Sequence, residues 1–491
     1  MTKFFRKHFS GKAGITELLV IAFPMVVSQA CDTIMMFTDR LFLSHLSAIH
    51  MAATMTGGLT AFIFMTFALG LTGYSAAIVA QYFGAGRKEK CGVVISQAII
   101  IALIAYPIIV SCIPIGHWLF ELTGQSVTQT VLSKQYFNIL MFGSIFGLLR
   151  ICINSFFIGI GRTRIVMISS LLITVVNVFI SYLLIFGKFG IPKFGMTGAA
   201  IGSVCGSALG LLFVVIAYSL AAKKFTEYKL FLTFHFDKQI MMKLLRLGTP
   251  GGVEFFLNLF AFNILILMLH SYGPNVAASV TIAFNWDLVS FIPLIGISIG
   301  VNSLVGRYMG AGSPDTAAIV TNSGVKVAVF YCGIMLLLFV VFPLQLVKVF
   351  VQDGNQSVID LAVFMVRMVA IYVIADGFAL VYSGALRGAG DTFWTMVISV
   401  SSHWFMVVEA ILLVRVYKVD PKLTWTAFVF TIPLIASSYY FRYRYGYWKT
   451  IRVVDVAVDS TIGLVAEHAR LCPVIASDII PKDFNQESLK Y

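Results

Sequence analysis

The sequence predicts an all-α polytopic membrane protein of twelve transmembrane helices, arranged as two like halves. Three observations carry that prediction. The 491 residues are 59% hydrophobic and only 12% charged, where a soluble globular domain carries about 25% charged residues; apolar runs long enough to cross a bilayer recur along the chain. The chain also repeats itself. Pro24 and Pro250 each open an apolar run, the loop Gln81-Tyr82-Phe83-Gly84-Ala85-Gly86 returns as Arg307-Tyr308-Met309-Gly310-Ala311-Gly312, and the turn Gly159-Ile160-Gly161-Arg162-Thr163 returns as Gly388-Ala389-Gly390-Asp391-Thr392, at offsets of 226, 226 and 229 residues. In-order matches at a nearly constant offset mark an internal duplication. Finally, the connections between apolar runs alternate between basic and poorly basic.

The spans are expected near residues 16–40, 48–78, 92–116, 131–158, 165–187, 198–221, 243–271, 276–304, 316–343, 358–385, 393–416 and 423–441. Several exceed the roughly 20 residues a span needs, so they tilt or extend past the bilayer. Lys3, Arg6, Lys7 and Lys12 precede the first run. That run is too long for a signal-peptide core and is followed by no small-residue cleavage site, so it is expected to remain as the first helix. The basic connections are the N-terminal tail, 84–91, 159–164, 222–242, 306–315, 386–392 and the segment after 441. The positive-inside rule makes that set cytoplasmic, and an even helix count puts both termini on the same side. Segment 222–242, with Lys223, Lys224, Lys229 and Lys238, is the longest internal linker. It divides an N-terminal bundle, 1–221, from a C-terminal bundle, 243–455. Six helices per half make the repeats parallel, related by an axis near the membrane normal. Residues 456–491 are mixed in character and are expected to form a cytoplasmic tail.

Several function classes are excluded. A net charge of +13 would suit a nucleic-acid binder, but the basic residues sit in short clusters between apolar runs, with no aromatic-interleaved basic stripe. The seven cysteines form no CxxC pair and read as buried thiols. The eight histidines include no HExxH. The Gly-Ala-Gly loops lack the GxxxxGK[ST] lysine, so there is no ATP motor. No nucleophile or metal constellation clusters at membrane depth, which argues against an intramembrane enzyme. No cofactor is expected, the bilayer is the partner, and nothing calls for an oligomer.

Two like halves in a membrane chain suggest a transporter with its pathway between them. Intramembrane acids are then the candidate site, because a buried Asp costs about 2.5–3.5 kcal/mol on insertion scales. Asp32 lies eight residues after Pro24, beside a potential bend. Asp39 adjoins Arg40 and reads as an interfacial ion pair, so it is set aside. Glu254 lies four residues after Pro250. Tyr372 is one turn before Asp376, so the two share a helix face. Glu254, Asp376 and Tyr372 would together make a hard-oxygen site for Na⁺ or a shared proton. Asn285-Trp286-Asp287 offers a flat aromatic surface and a negative charge, which suits a lipophilic organic cation. Asn177, with Ser181 one turn on, reads as interhelical hydrogen bonding. Arg150 pairs with a carboxylate or snorkels, and Glu409 is a hydrated outer-end acid.

Pro24…Gln29…Asp32-Thr33, the Ala80–Gly86 loop and Gly384-Ala385-Leu386-Arg387-Gly388-Ala389-Gly390-Asp391-Thr392 resemble the multidrug and toxic compound extrusion (MATE) transporters, over about residues 10–455. The resemblance implies a V-shaped central cavity between the two bundles. It also implies alternating access, with export of organic cations against inward Na⁺ or H⁺. It matches Asp32 to the family's helix-one carboxylate, Asp376 and Tyr372 to a helix-ten cation-site pair, Glu254 to a helix-seven acid and Asn177 to a helix-five asparagine. Ser181 departs from members that carry an aspartate there, which moves the expected ion site towards the C-terminal half. The expectation is therefore a cation-coupled (Na⁺ or H⁺) secondary antiporter in a bacterial inner membrane. Glu254, Asp376, Tyr372 and Asp32 couple the ion, Na⁺ lying between Glu254 and Asp376, while Asp287, Trp286, Asn285 and Asn177 meet the substrate. The alternative is a lipid-linked precursor flippase or polysaccharide exporter of the same superfamily, which would favour cavity arginines.

Overall fold

The computed structural model describes residue 11 and residues 13–122, 126–190, 192–224, 226–228, 235–351 and 355–454. Lys3, Arg6, Lys7 and Lys12, much of the 222–242 linker and the 456–491 tail lie outside the described residues. The first half contains α1 (Ile15–Ser44), α2 (Ala48–Gly73), α3 (Ser75–Gly84), α4 (Lys88–Ser111), α5 (Ile113–Leu122), α6 (Val127–Gly159), α7 (Thr163–Phe186) and α8 (Met196–Lys224). The second contains α9 (Lys238–His270), α10 (Pro274–Gly310), α11 (Pro314–Val341), α12 (Pro343–Lys348), α13 (Gln356–Ala389), α14 (Thr392–Ile411) and α15 (Pro421–Tyr445).

Helices α2 and α3 run on as one span past Tyr74, and α14 continues as a π-helical turn, Leu412–Val416. Among the described residues, eleven spans are long and apolar enough to cross a bilayer. The twelfth, α15, is less apolar because Thr, Ser and Tyr recur along it, and it carries Arg442 and Arg444 in its last turn. The short helices α5 and α12 follow the third and ninth spans, so the duplication extends to elements that the sequence reading did not separate.

Each half packs on itself. In the first, α1 lies on α7, α2 on α6, and α6 and α7 on α8; in the second, α9 lies on α14, and α10, α11 and α15 surround α13. Small residues let these helices approach, as lipid-exposed bundles require. Cys31, Cys91, Cys152 and Cys332 are buried free thiols.

The halves meet along α1 with α10, α2 with α9, and α3 with α10. The duplicated Gly-Ala-Gly loops build this seam. A Cβ on Gly84 would collide with the carbonyl of Arg307, and one on Gly310 with the carbonyl of Gln81. Gly84 corresponds to Gly310 in the repeat, and Gln81 to Arg307. The contact is therefore a self-complementary one about a pseudo-two-fold axis, of the kind two identical subunits make. The second glycine of each loop, Gly86 or Gly312, has φ of 75° or 69° and ends its helix in the left-handed conformation.

Tyr74 hydroxyl donates to the Arg387 carbonyl at 3.0 Å, Gln81 Nε2 to that of Gly388 at 2.8 Å, and Ser303 hydroxyl to that of Ile158 at 2.7 Å. All three bonds cross the seam on the side of the basic loops. The seam rises to the level where the Phe62 and Phe255 rings meet edge to face, 5.7 Å apart. Beyond that, α1 turns to its own half: Ser28 bonds Ser170 at 2.6 Å, and the Thr174 hydroxyl donates to the Cys31 carbonyl at 3.2 Å. The halves thus form a V that is closed at the basic end and open at the other.

Candidate functional site

Two polar clusters lie at membrane depth, one in each half. In the second half, Tyr372 hydroxyl on α13 donates to Asp287 Oδ1 on α10 at 3.0 Å. Asp376 lies one turn along α13, within electrostatic range of Asp287. Its carboxylate has no hydrogen-bond partner among the described residues. Two acids held this close repel each other unless a cation or a proton is shared between them.

In the first half, Asp39 on α1 is 5% exposed. Its Oδ2 accepts from Ser203 hydroxyl on α8 at 3.0 Å and from Asn177 Nδ2 on α7 at 3.4 Å, and Asn177 Nδ2 also reaches Ser203 Oγ at 3.1 Å. Ser181 is fully buried alongside. Among the described residues Asp39 Oδ1 and Asn177 Oδ1 are buried without hydrogen-bond partners, and the Ser181 hydroxyl lies beside Asp39. Buried polar atoms left unpaired are rare and call for an explanation such as an ion, and oxygen-only donors suit a hard cation. The residues present therefore fit Na⁺, or a proton carried by Asp39.

The comparisons with known proteins bear on what these clusters serve. A family model, MatE, matches the chain twice, over residues 24–183 and 250–412. The chain belongs to the MatE family. Its two matched stretches begin at Pro24 and Pro250, the same pair that marks the duplication. Curated relatives include a probable multidrug resistance protein NorM of Shewanella oneidensis, 28% identical over 79% of this chain and 84% of that protein. The multidrug resistance protein PmpM of Pseudomonas aeruginosa is 28% identical over 80% of this chain and 82% of its own. Among solved structures, a MATE protein in complex with MaL6 superposes with a TM-score of 0.81 at 19% identity, covering 89% of this chain and 97% of that one. An outward-facing multidrug resistance MATE transporter also reaches 0.81, at 20% identity over 89% and 96%. This MatE member is a multi-pass membrane transporter, and its fold of two six-helix repeats around a V-shaped cavity is the one the sequence predicts.

The structure corrects several residue expectations for this MatE chain. Glu254 does not meet Asp376. It is bonded to Arg387 Nη2 at 2.5 Å, with its side chain 4% exposed. Arg387 stands eleven residues beyond Asp376 on α13, about 16 Å of helix away. Glu254 and Asp376 are thus not brought together in this structure. Asp39, set aside for its neighbour Arg40, is the carboxylate of the first-half cluster. Asp32 is half-buried, with Arg150 as its facing charge. Trp286 donates its indole N–H to the Leu346 carbonyl at 3.1 Å and packs edge-on against Phe350. Successive helix residues point about 100° apart, so Trp286 serves packing while Asp287 serves the cluster. Asn285 is half-buried. Glu409 accepts from Thr431 hydroxyl at 2.8 Å.

Proposed function

We propose that this chain is a cation-coupled antiporter, driven by Na⁺ or H⁺, that exports lipophilic organic cations by alternating access. The observation that carries the reading is the first-half cluster: a buried carboxylate beside two further buried oxygens, with Asp39 Oδ1 and Asn177 Oδ1 lacking any hydrogen-bond partner among the described residues. That arrangement is costly without a cation or proton, and occupancy changes the charge that α1 carries where it leaves the seam. Asp287, Tyr372 and Asp376 supply the negative charge for the substrate cation in the second half, where the coupling ion competes with it. Asp32 tunes the same half as Asp39 through Arg150.

In this reading the basic loops and both termini face the cytoplasm of a bacterial inner membrane, and the V opens outward. The protein acts as a monomer, without cofactor or ATP. A ligand drives a change only if it binds the two access states unequally. The relatives named for multidrug resistance support the substrate class.

Transport of a fluorescent lipophilic cation in proteoliposomes, under separately imposed Na⁺ and H⁺ gradients, tests this. Asp39→Asn is expected to abolish the dependence on the gradient while leaving cation binding intact. Asp376→Asn is expected to weaken cation binding. Transport by Asp39→Asn that still follows the gradient would sink the coupling assignment. No transport by folded wild type under either gradient would turn attention to the flippase alternative.

A further inference from the structure

Gln81 and Arg307 stand at equivalent positions of the two repeats, and each sends its side chain into a glycine turn of the opposite half. Gln81 makes an ordinary bond to the Gly388 carbonyl. Arg307 does something different. Its guanidinium lies against Gly161, where φ is 76° and a side chain would have no room. It also covers the Phe83 ring, 4.9 Å from the centroid, and its Nη1 is 3.6 Å from Glu17 Oε1. Glu17 Oε2 accepts from Tyr308 hydroxyl at 2.9 Å and from the Ala13 N–H at 2.8 Å. Arg307 Nε is buried without a partner, so the guanidinium fills its place incompletely.

The socket itself belongs to the first half: a carboxylate on α1, an aromatic face on α3 and a bare glycine after α6. A carboxylate beside an aromatic face is the chemistry that recognises an organic cation, and Arg307 occupies it as a tethered one. Alongside lies a wide, open depression lined in part by Thr16, Val20, Ile21 and Ile160. Duplication alone did not produce this site, because the positions equivalent to Glu17 and Phe83 carry Lys243 and Met309.

We infer that the Glu17–Phe83 socket is a second binding site for lipophilic organic cations, at the basic end of the seam, and that Arg307 competes with them for it. The inference rests on the organic-cation reading above. When the halves part at this end, Arg307 withdraws with the second half and leaves the socket bare on the first. When they close, it returns and displaces the cation.

The test is equilibrium dialysis of radiolabelled tetraphenylphosphonium against the full chain in lipid nanodiscs. Wild type is expected to bind one cation, in the central cavity. Arg307→Gln is expected to bind a second, and adding Glu17→Gln to that variant to weaken the second site about tenfold, the loss of one partly solvated charge contact. Phe83→Leu in the Arg307→Gln background is expected to weaken it similarly. If Arg307→Gln does not fold, Arg307→Met, which keeps the apolar stem and removes the charge, serves in its place. A socket that is only a latch would be loosened alike by Glu17→Gln and Arg307→Gln, with one cation bound throughout; that outcome overturns the second site alone. No cation bound by any protein, wild type included, overturns the organic-cation reading itself.

Discussion

Removing Arg387 is expected to cost more than removing the acid it pairs with. Breaking a buried ion pair typically costs about 3–5 kcal/mol, because one charge is left stranded. Here the two partners are unequally placed. Glu254's side chain is 4% exposed and Arg387's 37%. Arg387→Gln therefore strands a carboxylate with no access to water, at about 3 kcal/mol. Glu254→Gln leaves the more exposed guanidinium short of one partner, at about 1 kcal/mol, nearer a surface pair. The double variant strands neither and should lie close to the milder single one, giving a coupling of about 3 kcal/mol. At about 2–4 °C per kcal/mol for bundles of this size, the melting temperature in nanodiscs falls by roughly 8 °C for Arg387→Gln and roughly 3 °C for the other two. Equal effects of the single changes, or additive effects in the double, would refute the assignment of Glu254 to a structural pair and return it to the ion site.

Other outcomes follow from the same geometry. Tyr372→Phe removes the bond to Asp287 and is expected to weaken cation binding about five- to tenfold, while the fold is kept; an unchanged dissociation constant would place the hydroxyl outside the site. Gly310→Ala puts a methyl onto the Gln81 carbonyl and is expected to break the closed seam, read as lost disulfide trapping between cysteines introduced across it; undiminished trapping would show that the contact gives. Asp391→Asn removes a two-pronged bond to Arg442, at 2.7 and 3.1 Å, and is expected to destabilise the second half by about 2–3 kcal/mol, with Asp391→Asn/Arg442→Gln recovering part of the loss of melting temperature.

The architecture was legible because its signals are local. Long apolar runs, alternating basic loops and a repeated Gly-Ala-Gly need no knowledge of what lies across the helix. The seam itself was half-legible: the loops stood out by repetition, but that their first glycine meets the opposite half's backbone required the packing. The sites were harder to read because partners sit on other helices. Asp39 misled because Arg40 is its neighbour in sequence and points elsewhere on the helix, while Asn177 and Ser203 are more than a hundred residues away. Glu254's partner is 133 residues distant. Tyr372 and Asp376 were recognisable as one helix face from their spacing, yet the acid that faces them is Asp287 rather than Glu254. One signal was available and passed over: Asp39 is an acid in an apolar run, as Asp32 is, and its insertion cost was discounted on the strength of an adjacent arginine.

The glycines of α10 have a mechanical consequence. Towards the open end, the tightest approach between α10 and α1 is at Gly296, where a Cβ would strike the Val26 backbone. From that point α10 runs fourteen residues to Gly310 and twenty-two back to Pro274, or about 21 Å and about 33 Å of helix. The longer stretch carries Pro293, three residues from that contact, where the missing N–H leaves the helix free to bend. The seventeen residues from Pro293 to Gly310 are then one stiff arm of about 26 Å that rests on Val26, and the stretch towards the mouth turns on a joint of its own. Parting the basic end moves this arm as a unit, and the bend at Pro293 sets how much of that movement reaches the mouth.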